Sequence, residues 1–326
     1  MRLIKRLCGL FAALLCTATL AAPYPTKPVM VMVPYPAGGP SDGLARAYTT
    51  PMQAKLGQPM LVENLGGVSG GIAAQKVLAA PADGYYLFLG SPNELIVSPL
   101  VNPAIKFKPE DFRLAQLLTY GSLILVVRKD LPANSVDEFV ALARKSSAAS
   151  KPLSYGSVGV GSLYHLISEH MGQRAGAKLT HVPYKGVAPL LQDLGGGQVD
   201  FTIVPFQAST GAMAEQGRFK ILASLGATRP ELLKQFPTVG ESTQLKNFDF
   251  TVWGGLFVKK GTPEDAVQRL HKASDESRAD GGVRAYGEAQ SLLETPRMSP
   301  QELTKFFEAE TGRYRTLAKS VGVQAQ

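Results

Sequence analysis

Two glycine-bearing segments carry the residue types that hold an anion. The first, Val33-Pro34-Tyr35-Pro36-Ala37-Gly38-Gly39-Pro40-Ser41-Asp42, leads into Leu44, Ala45 and Arg46. An apolar strand ends there, glycines allow a sharp turn, and Ser41 or Asp42 is placed to cap the helix that follows. Free N–H groups at a helix start attract negative charge, so the chemistry on offer is capture of a carboxylate or a similar anion. An ordinary strand-to-helix loop fits the same residues. The second segment, Tyr155-Gly156-Ser157-Val158-Gly159-Val160-Gly161-Ser162, repeats the logic before a helical stretch from Leu163 to Gly172, and His165 lies just inside it, able to donate to a ligand. The third glycine of a dinucleotide fingerprint is missing, and so is an acid about 20 positions on. Serines and spare N–H groups there would hold a carboxylate directly or through water. Two such loops, on different strands, predict a cleft gripped from both sides.

A different chemistry is written in Gly67-Val68-Ser69-Gly70-Gly71, which matches the G-x-S-x-G turn of a nucleophilic serine. That turn needs a strand running straight into the serine, whereas Asn64-Leu65-Gly66-Gly67 separates Ser69 from the expected strand Met60 to Glu63. The base would have to be His271, which follows Val267 and Leu270 on a capped helix, the position of a half-buried surface residue. A secreted serine hydrolase is the alternative function, and no enzyme activity is the expectation. His165 and His170 stand five apart, not the four that place two ligands on one helix face, and no H-E-x-x-H occurs. His181, before Val182-Pro183-Tyr184, reads as structural. Neither a metal nor a cofactor is expected.

The elements that would position these loops are alternating strands and helices. Strand-length apolar runs occur at Val29 to Val33, Tyr85 to Leu89, Ser122 to Val127, Val199 to Val204, Phe219 to Leu225 and Thr251 to Val258. Runs apolar at consecutive positions suit parallel strands buried on both faces. Three helix starts are legible between and after them. Ser135-Val136-Asp137-Glu138 is a capping box, Thr262-Pro263-Glu264-Asp265 offers a cap and a proline at the first helical position, and Ser299-Pro300-Gln301-Glu302 repeats that pattern. The alternation predicts an α/β fold with open parallel sheets, two of them.

Composition sets the class. The 326 residues are 45% hydrophobic and 18% charged, with one long apolar run, which excludes a channel or permease. Arg2, Lys5 and Arg6 precede Leu7 to Leu20, and small residues surround Ala21 and Ala22, the order of a secretory signal peptide over residues 1–22. Fourteen apolar residues fall short of the roughly 20 of a spanning helix. Cys8 and Cys16 both lie in that segment, so the exported chain would have no disulfide, thiolate metal site or cysteine nucleophile. The net charge of +8 drops to +5 without the three signal cations, and the remaining Lys and Arg are scattered. Nucleic acid is not an expected partner; steering of small anions is.

Further landmarks run in order along the chain: Tyr24-Pro25-Thr26-Lys27-Pro28, Leu56-Gly57-Gln58-Pro59, Val62-Glu63-Asn64, Asp83-Gly84-Tyr85, His181-Val182-Pro183-Tyr184-Lys185-Gly186, Gly197-Gln198-Val199-Asp200 and Phe236-Pro237-Thr238-Val239. With the two loops, they make a chain that resembles the Bug family of extracytoplasmic solute receptors, which serve tripartite tricarboxylate transporters. The resemblance implies a type II periplasmic-binding-protein fold of two lobes, each a mostly parallel sheet flanked by helices, with lobe 1 at 23–123 and 249–326 and lobe 2 at 124–248. It also implies a monomer in the periplasm that captures a small organic carboxylate, a di- or tricarboxylate or an aromatic acid, and delivers it to membrane subunits of such a transporter. Carried over, the ligand residues are Pro36, Ala37, Gly38, Gly39 and Asp42 on one side and Ser157 to Ser162, with Gly159 and Gly161, on the other; Tyr35 and His165, beside these loops, are candidates from their position, as are Ser91, Asn93 and Glu94. Two departures from the family pattern bear on the ligand. Where relatives commonly have a small hydroxyl residue, this chain reads Ser91-Pro92-Asn93-Glu94, and a cleft-facing Glu94 would repel a second acid group or attract an amine; Glu94 pointing to solvent is the alternative. Where many carry an acid or amide, it reads Ile203-Val204-Pro205-Phe206, which argues against an amino-acid ligand. Tyr184, Phe206 and Trp253 are expected to complete the cleft, with Phe206 and Trp253 flanking an aromatic or extended acid unless they are plain core.

Overall fold

The computed structural model describes residues 24–322; the expected signal peptide, with Cys8 and Cys16, lies outside the described residues. Nine strands are joined by hydrogen bonding among the described residues: β1 Val29–Val33, β2 Met60–Asn64, β3 Tyr86–Gly90, β4 Phe112–Arg128, β5 Ser154–Ser157, β6 Thr180–Pro183, β7 Phe201–Pro205, β8 Phe219–Ser224 and β9 Thr251–Lys259. Their order is β2-β1-β3-β9-β4-β7-β5-β6, with β8 also on β4. The helices are α1 Pro40–Leu56, α2 Gly71–Ala79, α3 Val136–Ala148, α4 Leu163–Ala175, α5 Val187–Gly195, α6 Ala208–Glu215, α7 Glu264–Ser277, α8 Gly281–Ala289 and α9 Pro300–Val321, and a π turn at Asn93–Val97 runs into a short helix at Ser98–Val101.

The expectation of parallel sheets holds within each half and is corrected where they join. β1 runs parallel to β2 and β3, and β5 runs parallel to β6 and β7. β4 and β9 are antiparallel to every strand they pair with. β4 is a single 17-residue strand, extending ten residues before the run at Ser122. Phe112 to Ser122 pair with β9, then Leu123 to Val127 pair with β7 and Ile124 to Arg128 with β8. Its register against β9 slips twice, between Leu114 and Gln116 and between Leu117 and Thr119. Such bulges bend a strand, which lets β4 serve both halves. β5 and β6 were not legible as strands, being four residues each and interrupted by Gly156 and Pro183.

Burial on both faces follows from strand periodicity. Val29, Val31 and Val33 of β1 pack with Tyr48 and Met52 of α1 and Leu270 of α7, while Met32 points the other way into a core shared with Phe88, Phe257 and Tyr314 of α9. That second core continues to Tyr155, Leu163 and Phe201, so α9 packs against both halves of the molecule. Ser135 and Ser299 cap α3 and α9 as their sequences predict. Thr262 does not cap α7; its hydroxyl donates to the Lys259 carbonyl at 2.7 Å instead. The segments at 34–39, 91–97, 158–162 and 206 all leave the carboxyl ends of β1, β3, β5 and β7, the edge of an α/β sheet where ligands bind.

Candidate functional site

The first loop is braced by its own acid. Gly39 precedes α1 without a side-chain cap, and Pro40 occupies the first helical position, where its missing N–H leaves nothing unsatisfied. Asp42 is buried, and its Oδ2 accepts from the Gly38 N–H and from Arg46 Nε, both at 2.9 Å. The Arg46 guanidinium, aided by the Gly38 amide, holds this carboxyl below its usual range against the opposing effect of burial. Asp42 Oδ2 therefore braces the loop, while its buried Oδ1 has no hydrogen-bond partner among the described residues. Pro36, Ala37 and Gly38 are exposed, and the N–H groups of Ala37 and Gly39 have no acceptor among the described residues. Asn64 Nδ2 donates to the Tyr35 carbonyl at 3.1 Å, fixing the start of the turn.

The second loop is held from beneath. Gly159 and Gly161 sit at φ +134 and +73, left-handed backbone that side chains resist. Ser157 Oγ donates to the Gly159 carbonyl at 2.9 Å and meets His181 Nε2 at 2.7 Å. Ser162 Oγ donates to Ser157 Oγ at 3.3 Å and accepts from the His165 N–H, capping α4. His165 does not donate to the cleft from Nδ1, as that nitrogen accepts from the Gly161 N–H at 2.9 Å. Its ring is buried and stacks on His181 with centroids 4.0 Å apart, and Tyr155 lies beside the pair, 5.0 Å from His181 and 6.3 Å from His165. The N–H groups of Val158 and Val160 have no acceptor among the described residues. His181 is the residue that sequence reasoning left as merely structural; β5 and β6 are parallel neighbours with Tyr155 opposite His181, and only that register brings it under Ser157.

Burial pushes both imidazoles below the ordinary histidine value, His181 to about 4, with His165 adding to the effect and Glu169 opposing it. The folded chain then binds fewer protons than the unfolded one between about pH 6.5 and 4. The stability these neutral rings contribute is present above about pH 6.5 and lost as pH falls through about 4. The melting temperature should decline across that window, and a His181→Gln variant should decline less. Equal slopes for the two proteins would exclude the stacked pair as the source.

The third segment, after β3, is where the structure decides between two expectations. Glu94 does not point to solvent: it is 2% exposed. Its Oε1 accepts from the Tyr35 hydroxyl and from Asn93 Nδ2 at 3.2 Å, and its Oε2 accepts from the Ser91 N–H and hydroxyl, each at 2.7 Å. Burial, with the Glu94 charge adding to it, pushes the Tyr35 hydroxyl well above its usual range. Asn93 then reaches across the molecule, its Oδ1 accepting from the Leu163 N–H at the start of α4, 3.2 Å away. Val101 packs where Gly161 lacks a Cβ, at 2.3 Å from where that atom would stand. Residues 91–101 thus join the two loops.

The remaining candidates divide. Tyr184 lies beside this loop, with its N–H on the Ser157 carbonyl at 2.8 Å, but its hydroxyl donates to Asp193 at 2.9 Å and is pushed up to about 12 by burial and by that acid. Phe206 is half-buried at the end of β7, its ring against Gly211 of α6. Trp253 is corrected: it is 1% exposed beneath α9, with Nε1 donating to Glu310 at 2.8 Å, so it is core and not cleft. Tyr164, which sequence reasoning missed, lies on the first turn of α4, its hydroxyl raised by burial and by Glu94. Ser69 sits in a 3-10 turn at Val68–Gly70, and the Nδ1 of His271 meets the Ala115 carbonyl at 3.2 Å. Among the described residues no His, Cys, Asp and Glu group could hold a metal, and no helix is long and apolar enough to cross a membrane.

Known proteins share this architecture. Residues 44–323 match the family described as the tripartite tricarboxylate transporter family receptor. The chain is 29% identical to the Bordetella pertussis protein BugT over 329 residues, 98% of this chain and 99% of BugT. The R. palustris protein Rpa4515, solved with adipate, is 31% identical with a TM-score of 0.79, covering 93% of this chain and 100% of that one. MatC from Rhodopseudomonas palustris, solved with bound malate, is 28% identical with a TM-score of 0.77, covering 90% of this chain and 99% of that one. With a family match over most of its length, this chain belongs to the tripartite tricarboxylate transporter receptor family, the Bug-type solute-binding receptors.

Proposed function

We propose that this receptor captures a small organic carboxylate, aromatic acids included, between the 35–39 and 157–162 loops and presents the closed form to the membrane subunits of a tripartite tricarboxylate-type transporter. It acts in the periplasm, after removal of residues 1–22, as a monomer without catalytic activity. The observation that carries this reading is the Asn93 to Leu163 hydrogen bond at 3.2 Å, which ties the end of β3 to the start of α4. A ligand touching both loops completes a contact that only the closed cleft offers, so binding and closure reinforce one another. The lobes we assign are 23–123 with 249–326, and 124–248, hinged on β4 where its pairing passes from β9 to β7 and β8. Adipate and malate on the two relatives support the carboxylate class.

Magnitudes require both loops. A hydrogen bond to a charged group contributes roughly 1.5 to 3 kcal/mol, so four give about 6 to 12. Association opposes this by about 4 to 15 kcal/mol, and micromolar binding needs about 8 net. The test is a thermal-shift screen of mono-, di- and tricarboxylates, aromatic acids and amino acids; a ligand at 100 times its Kd stabilises the fold by about 2.7 kcal/mol. Hydrolysis of esters with no stabilisation by any acid would install the serine hydrolase instead. Ser162→Ala removes the α4 cap and a loop hydroxyl, and should weaken acid binding about tenfold and destabilise the fold by about 1 kcal/mol. Ser69→Ala should leave affinity unchanged; calorimetric titration of both variants distinguishes the loops.

A further inference from the structure

Glu94 is a buried carboxylate with no cation to answer it among the described residues. Four hydrogens converge on its two oxygens, from Tyr35, Asn93 and twice from Ser91, and a proton on the acid itself would displace one of them. The surrounding network is continuous: Ser91 Oγ donates to Glu94 and accepts from the Asn93 N–H at 3.2 Å, and Tyr35 Oη donates to Glu94 and accepts from Asn93 Nδ2 at 3.4 Å. All of these donors are neutral. Asp42 and Glu63 have Arg46 and Lys76, whereas Glu94 forms no ion pair among the described residues. Gly70 closes the remaining side, since a Cβ there would stand 2.6 Å from Glu94 Cγ.

Position gives this charge a function. Tyr35 heads the first loop and is bonded directly to Glu94. Asn93, oriented by the same carboxylate, carries its carbonyl to the Leu163 N–H, which places Glu94 within about 9 Å of the α4 start. A ligand spanning both loops therefore lies beside Glu94. The spare N–H groups of the loops answer a negative charge on that ligand, and a second one beside Glu94 is repelled by it, more strongly in a cleft where hydration is reduced. Resting on the receptor reading and narrowing its ligand class, we propose that Glu94 is the specificity-determining residue that makes this receptor select acids carrying a single negative charge, with a neutral or cationic far end, over dianions and trianions of the same length.

Matched pairs that differ only in the far end test this: succinate with succinamate, adipate with adipamate, and terephthalate with 4-carbamoylbenzoate, titrated calorimetrically near pH 7.5, with 6-aminohexanoate as the cationic arm. On whichever scaffold binds most tightly, the monoamide should bind the wild-type protein at least tenfold more tightly than the diacid. In Glu94→Gln, whose fold is checked by circular dichroism, the ratio should shrink to about threefold or less, with the diacid gaining. A wild-type protein that prefers the diacid or binds both equally overturns the proposal, as does an unchanged ratio in the variant. The wild-type ratio alone decides should the variant not fold. Equal binding of both members removes the specificity role and leaves the receptor standing, whereas no binding by any acid removes the receptor reading and this proposal together.

Discussion

Gly161→Ala is expected to weaken acid binding by about fivefold or more, up to about 150-fold, while leaving a folded protein. Gly161 holds φ at +73, and a side chain in that left-handed region costs roughly 1 kcal/mol. The larger effect is steric. An added Cβ would stand 2.3 Å from Val101 Cγ2 and 3.2 Å from Val101 Cβ, and the stiff valine rotamer cannot swing clear. Overpacking of this kind costs about 1 to 3 kcal/mol. Val101 follows β3, whereas Gly161 follows β5, so the clash lies between the two halves and is relieved by parting them. The open form escapes the clash and the closed, liganded form carries it, which converts the steric cost of about 1 to 3 kcal/mol into an affinity loss of about 5- to 150-fold, the backbone strain being common to both forms. Calorimetry on the best ligand measures the loss, and the unliganded melting temperature should move by only a few degrees. Adding Val101→Ala should restore the steric part. Unchanged affinity in the single variant would mean that ligand binding does not bring Gly161 and Val101 together.

The two loops were legible because their signal is local. An apolar strand, a glycine turn and a helix start follow one another within ten or so residues, and the fold keeps them in that order at β1–α1 and β5–α4. What each side chain does there was not legible. Asp42 carries the residue type of a ligand contact or a cap, yet the Gly38 amide and Arg46 lie within four residues and take its Oδ2. Glu94 stands before Leu95-Ile96-Val97, a charge beside an apolar run, and nothing nearby shows that Tyr35, 59 positions earlier, will cover it. His181 needed the parallel pairing of β5 with β6, a choice of neighbour that short strands containing Gly156 and Pro183 do not announce. The first half of β4 escaped notice because buried Gln116 interrupts its apolar pattern, and because its bulges break the alternation that marks a strand. Local grammar places the backbone donors; long-range pairing decides which acids and rings support them.

Trp253→Ala should remove about 3 to 5 kcal/mol of stability and leave ligand affinity within about threefold of wild type. Trp253 is the sole tryptophan, on β9 opposite Tyr120, and its ring lies between Phe306 at 5.0 Å and the rings of Phe257 and Phe307, each at 6.3 Å. Truncation leaves a cavity beneath α9 that its neighbours fill only in part. It also strips Glu310 of the indole N–H, leaving Arg313 Nη1 at 3.6 Å as its charged partner. At roughly 2 to 4 °C per kcal/mol for a chain of this size, the melting temperature should fall by about 10 °C. A tryptophan that flanked the ligand would give the reverse, a large affinity loss at nearly constant stability. Trp253→Phe sharpens the comparison, since it keeps most of the packing and removes only the indole hydrogen bond, and its stability should lie between the other two. Affinity must be read well below the variant's melting transition, where α9 still holds α4 and Tyr155 against the first sheet through their shared core. Under that condition, a Trp253→Ala protein that melts like wild type but no longer binds acid would place the ring in the cleft and overturn its assignment to the core.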